Sequence, residues 1–164
     1  MLFDAALEHR AASLLAHLRA RGLTVATAES CTGGLVAAAL TAIPGSSDVV
    51  DRGFVTYSND AKIDMLGVPA ALIATHGAVS EPVARAMAEG ALRASSAGVT
   101  VSLTGIAGPG GGSAGKPVGL VHLAAARRGG PTLHLERRYG DLGRAGIREA
   151  AVHDALDLVE AASR

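Results

Sequence analysis

The first part of the chain carries apolar residues at the spacing of a helix. They lie on one stripe over residues 5–21, and Gly22 follows the last of them. Similar apolar patterns, bounded by glycine, proline or capping side chains, predict further helices. These lie at about residues 34–43, 61–66, 81–98 and 144–162. The first helix is predicted to be amphipathic and to pack its stripe against the rest of the domain.

Short runs rich in Val, Thr and Leu lie between these helices, and residues of this kind favour strands. The runs lie at residues 23–28, 54–57, 99–103, 118–126 and 132–139. The sequence RRGG joins the last two as a hairpin, so we expect that pair to be antiparallel. Strands that alternate with helices predict an α/β fold. We expect one three-layer α/β/α domain over residues 1–164, with a mixed, mostly parallel central sheet.

Polar or glycine-rich segments follow some of these strands at their carboxyl ends. The segments are TAESCTGG, VTYSND and LTGIAGPGGG. In sheets of this class a ligand usually binds beyond the carboxyl ends of the strands. We therefore expect these segments, which are far apart in the sequence, to line one pocket.

Composition limits the partners that the chain can recognise. It has 15 basic and 15 acidic residues, no Trp, and only two Phe and two Tyr. Nucleic acid is not an expected partner, because there is no net positive field and little aromatic surface for base stacking. Asp4 and Glu8 stand where a secretory signal would be basic, so we expect a cytoplasmic location and no membrane partner. The many small aliphatic residues lead us to expect a homo-oligomer.

Neither metals nor nucleotide cofactors are expected. The six histidines and the single Cys31 do not have the spacing of known metal motifs. The segment from Gly110 to Lys116 fits both G-x-G-x-x-G and G-x-x-x-x-G-K, but Pro117 and a predicted strand follow it. Both nucleotide motifs require a helix at that point. The segment is either a flexible connection or a loop whose backbone N–H groups approach a ligand.

Ser30 has two interpretations. Hydroxyl side chains just before a helix often cap it. Capping needs only one such residue, however, and here Thr32, Gly33 and Gly34 follow Ser30 closely. A nucleophilic serine beside N–H groups at a helix N-terminus has the parts needed for acyl transfer, since an oxyanion develops next to the attacked carbonyl. Cys31 could be the nucleophile instead, or a small buried apolar residue.

A serine nucleophile requires a base, and Lys62 is the candidate. It falls in the first turn of its predicted helix, where the helix dipole opposes a cation and would lower the pKa. A partly buried neutral lysine can take the proton of a serine. Tyr57 could orient the pair or relay the proton. The alternatives are a solvated lysine that packs only its stem and an ordinary strand tyrosine.

These residues resemble the CinA C-terminal domain family, which includes stand-alone nicotinamide-nucleotide amidohydrolases. The resemblance covers most of residues 24–119 in order and spacing. The matching motifs are TVATAESCTGG, GSSDVVDRGFVTYSNDAK, HGAVSEPVARAMAEGAL and SLTGIAGPGGGSAGKPVG. The resemblance implies hydrolysis of the carboxamide of nicotinamide mononucleotide to nicotinic acid mononucleotide and ammonia, without a metal or cofactor. Larger members carry an additional N-terminal domain, which we expect this chain to lack.

The resemblance also implies roles for single residues. The family's nucleophilic serine corresponds to Ser30, and its lysine base corresponds to Lys62. Tyr57 and Thr104 are expected to support this dyad or the substrate carboxamide. Backbone groups at Gly105 are candidates for oxyanion or substrate contact. The same role is expected for Thr32, Gly33 and Gly34 of the ESCTGG motif.

The last helix departs from the family pattern. Members commonly have G-D-R-x-x-[VI]-R at this point, whereas this chain reads GDLGRAGIRE, so Asp141 is separated from Arg144. Arg144 and Arg148 keep their mutual spacing at the start of the helix and could hold the nucleotide phosphate. They could also simply solvate the helix end.

Two other functions stay open at the level of the sequence. One is a non-catalytic nucleotide-binding or regulatory module of the competence and DNA-damage type, in which Ser30 only caps a helix and contacts an anion. Such a module would need no lysine placed against a helix dipole. The other is a related hydrolase for a different small amide, which would retain the dyad and change only the pocket.

Overall fold

The computed structural model describes residues 1–164, and a central sheet organises them. Its strands are β1 (Val25–Glu29), β2 (Val50–Val55), β3 (Val99–Gly105), β4 (Leu120–Arg127) and β5 (Thr132–Arg138). They lie in the order β2-β1-β3-β4-β5. The β1–β2 and β1–β3 pairs are parallel, whereas the β3–β4 and β4–β5 pairs are antiparallel. The predicted mixed sheet with an antiparallel final hairpin is confirmed.

Helices cover both faces of this sheet. They are α1 (Ala5–Ala20), α2 (Leu35–Thr41), α3 (Asn59–Leu66), α4 (Ala70–His76), α5 (Glu81–Arg93) and α6 (Gly143–Ala162), with a short 3₁₀ turn at Ser46–Asp48. The main hydrophobic core joins α1, α2 and α6 to one face, and smaller clusters join α3, α4 and α5 to the other. The predicted three-layer α/β/α architecture is therefore confirmed.

Small residues let α5 approach the sheet and α3 closely. Ala84 and Ala88 of α5 pack against Ala124 and Ala126 of β4 in one buried cluster. At Gly90 an added Cβ would lie 2.0 Å from the backbone oxygen of Leu66, so only glycine fits where α3 meets α5. This close packing fixes the position of α3, the helix that carries Lys62.

The three largest differences between the structure and the sequence prediction concern α4, α5 and β2. The sequence pattern does not predict helix α4, since none of its seven residues is fully buried and only Leu72 and Ile73 pack partly against the core, which gives no clear apolar stripe. Helix α5 ends at Arg93 rather than near residue 98. Strand β2 begins at Val50 rather than at residue 54. It is an edge strand, and the exposed residues in its middle interrupt the apolar pattern that would otherwise reveal its start in the sequence.

None of the helices combines the length and the apolar character that crossing a membrane would require.

Candidate active site

The carboxyl ends of three strands meet at one pocket of about 300 Å³. Because β1 and β3 are parallel neighbours and β2 is parallel to β1, their final residues reach the same edge of the sheet. The three segments predicted from the sequence all contribute to the walls. The lining residues include Ser30 and Cys31 after β1, Tyr57, Asn59 and Lys62 after β2, and, at the end of β3, residues 104–108 with Gly110 and Gly111.

Ser30 is held at the base of this pocket by the sheet itself. It directly follows Glu29, the last residue of β1, and its N–H donates to the Leu103 carbonyl at 3.0 Å. The side chain is buried, yet it reaches the pocket. Its hydroxyl oxygen lies 3.0 Å from Lys62 Nζ. Ser30 therefore contacts a lysine and does not cap α2, whose N-cap residue is Gly34.

Lys62 is almost completely buried, with 1% of its surface exposed. Helix α3 carries it, and the Ser58 hydroxyl caps that helix by accepting from the Ala61 N–H at 3.0 Å. The amine also lies 2.8 Å from the Thr56 carbonyl oxygen and 3.4 Å from that of Tyr57. No carboxylate forms an ion pair with it. Burial lowers the pKa of Lys62 below that of an ordinary lysine.

The groups around Lys62 allow it to exist in either protonation state. Three backbone carbonyl oxygens, those of Thr56, Tyr57 and Ser58, lie within 3.5 Å of the amine. In the ammonium form Nζ donates to these oxygens and to Ser30 Oγ, whereas in the neutral form its two N–H groups can donate to carbonyls and its lone pair is left for the hydroxyl proton of Ser30. With a lowered pKa and this geometry, Lys62 can remove the proton as Ser30 attacks a carbonyl carbon.

Glu29 explains why an acidic residue stands in the middle of this turn. Its side chain is fully buried, and one carboxylate oxygen accepts from Thr32 Oγ1 at 2.6 Å and from the Val36 N–H at 2.9 Å. The other accepts from the Ala37 N–H at 3.1 Å. The carboxylate therefore supplies the negative charge that the N-terminus of α2 favours. This role is not visible in the sequence, because Glu29 lies seven and eight residues before its two helix donors, Val36 and Ala37, and not at a usual capping position.

The position of Glu29 changes the roles expected for the residues that follow Ser30. Thr32, Gly33 and Gly34 do not line the pocket. The Thr32 hydroxyl is used by Glu29, and the Gly33 N–H donates to the Ser30 carbonyl oxygen at 3.0 Å. The structure therefore places these three residues, which were expected to contact substrate, outside the pocket lining. They form the turn, with Gly33 and Gly34 at positive φ values of 57° and 106°.

Cys31 contributes its backbone rather than its thiol. Burial raises the pKa of the thiol to about 11, which removes the thiolate needed for nucleophilic attack at neutral pH. No oxygen atom of the protein accepts from the Cys31 N–H, which contacts its own thiol, and the residue lines the pocket. The N–H of the residue after a nucleophile is a common oxyanion donor in strand-to-helix turns. The Cys31 N–H is therefore a candidate for the oxyanion contact expected of Gly33 and Gly34.

Tyr57 and Thr104 both line the pocket, but neither hydroxyl bonds to the dyad. The Tyr57 ring is 62% exposed, and its hydroxyl accepts from Arg144 Nη2 at 3.2 Å. The Thr104 hydroxyl donates to the Ala78 carbonyl oxygen at 2.9 Å and so holds the loop before α5 against β3. Gly105 lies beside Thr104 in the wall, and a Cβ there would come within 2.9 Å of the Leu120 carbonyl oxygen.

The two arginines at the start of α6 occupy different places. Arg144 lies at the rim, where its Nη1 donates to the Gly108 carbonyl oxygen at 2.7 Å and its Nη2 contacts Tyr57. Arg148 lies outside the pocket and donates to the carbonyl oxygens of Cys31 and Thr32, each at 3.2 Å. Arg144 is therefore available to substrate, whereas Arg148 supports the turn that carries Ser30.

The glycine-rich segment is a strand-to-strand connection, as its sequence predicted. The segment runs from the end of β3 to β4, which begins at Leu120, and no helix follows it. Lys116 anchors it by donating from Nζ to the His76 carbonyl oxygen at 2.6 Å. Gly108, Gly110 and Gly111 near its start line the pocket. The nucleotide motifs that it partly matches therefore lack their structural context.

No acidic residue lines the pocket, whose basic residues are Lys62 and Arg144. A group of possible metal ligands lies elsewhere on the surface, where ligand atoms of Asp4, Glu149 and His153 come within 4.8 Å of one another. The pocket is thus suited to a neutral or anionic small molecule rather than to a hard cation.

Comparisons with known proteins place these features in a family. The sequence model of a family described as "CinA C-terminal domain" matches residues 7–163. A CinA-like protein from Anaeromyxobacter dehalogenans is 55% identical over 151 residues, which are 92% of this chain and 36% of that protein. Another from Anaeromyxobacter sp. is 54% identical over 164 residues, covering 99% of this chain and 39% of its own. The chain therefore spans less than half of the length of these curated relatives.

Solved structures share the fold along nearly the whole chain. The competence/damage inducible protein CihA from Agrobacterium tumefaciens superposes with a TM-score of 0.98 at 57% identity, covering 100% of this chain and 99% of that one. A CinA superfamily protein from Klebsiella pneumoniae gives a TM-score of 0.90 at 34% identity, with coverages of 96% and 97%.

Proposed function

Because the chain belongs to the CinA C-terminal domain family, we propose that it is a metal-independent Ser/Lys amidohydrolase. Its proposed reaction is hydrolysis of the carboxamide of nicotinamide mononucleotide to nicotinic acid mononucleotide and ammonia, a step of pyridine-nucleotide salvage. The observation that carries the proposal is the 3.0 Å contact between Ser30 Oγ and the buried amine of Lys62 in the pocket. A buried lysine without a carboxylate partner is costly to keep for packing alone.

In the proposed first half-reaction, Ser30 Oγ attacks the carboxamide carbon while its proton passes to Lys62 Nζ. The C=O double bond becomes a C–O⁻ single bond in the tetrahedral intermediate. Collapse of this intermediate re-forms C=O and breaks the C–N bond, and the Lys62 ammonium returns the proton to the departing nitrogen. Ammonia leaves, and the nicotinoyl group remains as an ester on Ser30.

In the second half-reaction, water replaces Ser30. Lys62 takes a proton from the water as its oxygen attacks the ester carbon, and the Ser30 oxygen leaves and regains a proton from Lys62. The oxyanion in both steps would accept a hydrogen bond from the N–H of Cys31, directly after the nucleophile, which donates to no oxygen of the protein. No group other than the dyad, this N–H and water is required.

The pocket rim supports a substrate that carries a phosphate. Arg144 lies at the opening and can make bidentate contact with phosphate oxygens. Its current partners, the Gly108 carbonyl oxygen and the Tyr57 hydroxyl, are both exchangeable hydrogen-bond acceptors. The volume of about 300 Å³ lies at the lower end of the range for ligand pockets, and this opening leaves room for the nucleotide to extend outward.

Ammonia release from several nicotinamide compounds tests the proposal. Purified protein should release ammonia from nicotinamide mononucleotide and release it more slowly from nicotinamide, which lacks the ribose phosphate. The rival, a non-catalytic nucleotide-binding module, predicts binding of the nucleotide by calorimetry without turnover. Binding without ammonia release would therefore contradict the proposed activity. Faster release from another amide would show that this amide, and not nicotinamide mononucleotide, is the substrate.

A further inference from the structure

The loop after β3 brings free backbone N–H groups to the pocket. The pocket lining includes Ala107, Gly108, Gly110 and Gly111 of this loop. No backbone carbonyl accepts from the N–H of any of these residues, and the N–H groups that donate to side chains lie elsewhere in the chain. Ala107 and Gly108 are also buried, and buried N–H groups without an acceptor are rare in proteins. These donors are therefore available to a ligand in the pocket.

The backbone at Gly110 and Gly111 suits an anion. Gly110 lies in a bend, and Gly111 after it has a positive φ of 88°, whereas φ is not positive at Gly110. Successive N–H groups in a turn of this kind can face one concave side, an arrangement that binds anions. Two adjacent donors of the pocket lining therefore have the backbone of an anion-binding turn.

The fold explains some of the glycines in this loop, but not all of them. Gly108 and Gly111 have positive φ values, and a Cβ at Gly112 would lie 2.9 Å from another backbone nitrogen. Gly110 and Gly115 have neither constraint, since their φ values are not positive and no atom lies within 4 Å of an added Cβ. Of these two, only Gly110 lines the pocket. Its missing side chain therefore serves the close approach of a ligand rather than the fold.

A guanidinium group lies beside these N–H groups. Arg144 lines the same pocket, and its Nη1 donates to the Gly108 carbonyl oxygen at 2.7 Å. No carboxylate forms an ion pair with Arg144, and no acidic residue lines the pocket. An anion here would meet backbone donors and a positive charge without a competing carboxylate. Phosphate oxygens are well suited to both kinds of donor.

Contacts outside the pocket hold the loop in place. Lys116 Nζ donates to the His76 carbonyl oxygen at 2.6 Å, and the Ser113 N–H donates to the Lys116 carbonyl oxygen at 2.8 Å. The Gly119 N–H donates to the Ile106 carbonyl oxygen, also at 2.8 Å. None of these contacts uses the N–H groups of the pocket lining. A ligand can therefore bind to those groups without breaking the contacts that fix the loop.

We propose that the N–H groups of Gly110 and Gly111, together with the guanidinium of Arg144, form a cradle for the phosphate monoester of the substrate. The inference rests on the proposed function for the identity of that substrate, but it concerns binding and not the chemical step. Ser30 and Lys62 act on the carboxamide, and the phosphate cradle holds the other end of the nucleotide. Inorganic phosphate has the same oxygen acceptors and can serve as a second probe.

Calorimetry with Ser30→Ala, which lacks the proposed nucleophile, measures binding of nicotinamide mononucleotide without turnover. In this background Gly110→Ala should weaken nucleotide binding by about tenfold or more, the effect of losing one hydrogen bond to a charged group. Binding of nicotinamide riboside, which lacks the phosphate, should not change. Gly115→Ala is the matched control, because it adds the same methyl group in open space of the same loop but outside the pocket. It should change neither affinity.

Inorganic phosphate gives a measurement that does not need the nucleotide. It should raise the thermal unfolding temperature of Ser30→Ala, and Gly110→Ala should remove this effect whereas Gly115→Ala should not. Circular dichroism reports whether each variant is folded. If Gly110→Ala folds poorly, Arg144→Ala tests the same cradle, since phosphate should no longer stabilise it.

Three results would overturn the phosphate cradle. They are equal binding of the nucleotide and the riboside by Ser30→Ala, no stabilisation of that protein by inorganic phosphate, and equal nucleotide binding by folded Gly110→Ala and Gly115→Ala. A different result would contradict only the proposed function. If the wild type released no ammonia while binding stayed phosphate-dependent and sensitive to Gly110→Ala, the cradle would stand without the hydrolysis.

Discussion

Lys62 Nζ lies 3.0 Å from Ser30 Oγ although 32 residues separate them in the chain. The contact depends on the parallel pairing of β1 with β2, which brings the turn after β1 next to the helix that follows β2. The lysine is buried among backbone carbonyl oxygens and has no ionic partner. In the proposed mechanism this relationship converts an ordinary serine into a nucleophile.

Replacing Lys62 by methionine should separate catalysis from stability. Lys62→Met keeps the volume of the side chain but removes the base, so kcat/KM should fall by about 10²–10⁴-fold. The free energy of unfolding should stay unchanged or rise, because a buried amine with only backbone partners is replaced by an apolar chain. Ammonia release and urea unfolding measure the two effects. A loss of activity accompanied by a large loss of stability would indicate a structural lysine instead.

The pH dependence of both activity and stability should follow Lys62. As a base it must be neutral, so kcat/KM should rise with pH through an apparent pKa below the ordinary lysine value of 10.5. At pH values between the lowered pKa of Lys62 in the folded protein and its ordinary value of 10.5, the unfolded chain binds more protons than the folded one. The free energy of unfolding should therefore also rise with pH across that window. Below the folded pKa the full penalty for burying the ammonium is present.

The Lys62→Met variant is the matched control for this pH dependence. It should lack the rise in unfolding free energy across the same window, as measured by urea unfolding at a series of pH values. An identical slope in the wild type and the variant would assign the effect to other groups.

Removing the charge of Glu29 should impair the turn that carries the nucleophile. Glu29→Gln keeps the shape but replaces one acceptor oxygen by an N–H₂ group facing backbone or hydroxyl donors. We expect a loss of about 1–3 kcal/mol in the free energy of unfolding and a lower kcat. Glu149→Gln, at an exposed position of α6, is the control and should change neither quantity. Thermal unfolding measures the stability and steady-state kinetics measure kcat. If Glu29→Gln and Glu149→Gln gave the same values, Glu29 would not support the turn as described.

Arg144 and Arg148 should affect different kinetic constants. Arg144→Ala should raise KM for nicotinamide mononucleotide, because it removes the rim guanidinium, and should have little effect on the riboside, which lacks the phosphate. Arg148→Ala should lower kcat for both compounds, since Arg148 holds the carbonyls of Cys31 and Thr32. If Arg144→Ala affected both compounds equally, the phosphate contact would be wrong.

Much of the fold follows from patterns that are local in the sequence. The apolar spacing of α1 and the RRGG hairpin between β4 and β5 are legible without any tertiary information. Helix α4 and the start of β2 are not, because the first buries no side chain completely and the second is a partly exposed edge strand. Their conformations depend on the neighbouring elements.

The site was predictable where the chemistry is carried by residue type and position, as for Ser30 and Lys62. It was less predictable where a polar group has two possible partners. Glycines at a helix N-terminus suggest an anion site, but the negative charge there belongs to Glu29, which lies in the same turn. Likewise, the shared spacing of Arg144 and Arg148 in α6 does not reveal that one faces the pocket and the other the turn.

The most direct test of the proposed nucleophile compares ammonia release by Ser30→Ala and Ser13→Ala. Ser13 is exposed on α1, far from the pocket lining, so its variant controls for the loss of a serine hydroxyl. With nicotinamide mononucleotide, the wild type and Ser13→Ala should release ammonia at the same rate. Ser30→Ala should lose about 10³-fold or more in kcat while still binding the nucleotide. If Ser30→Ala turned over as fast as the wild type, Ser30 would not be the nucleophile, and the proposed mechanism would be contradicted.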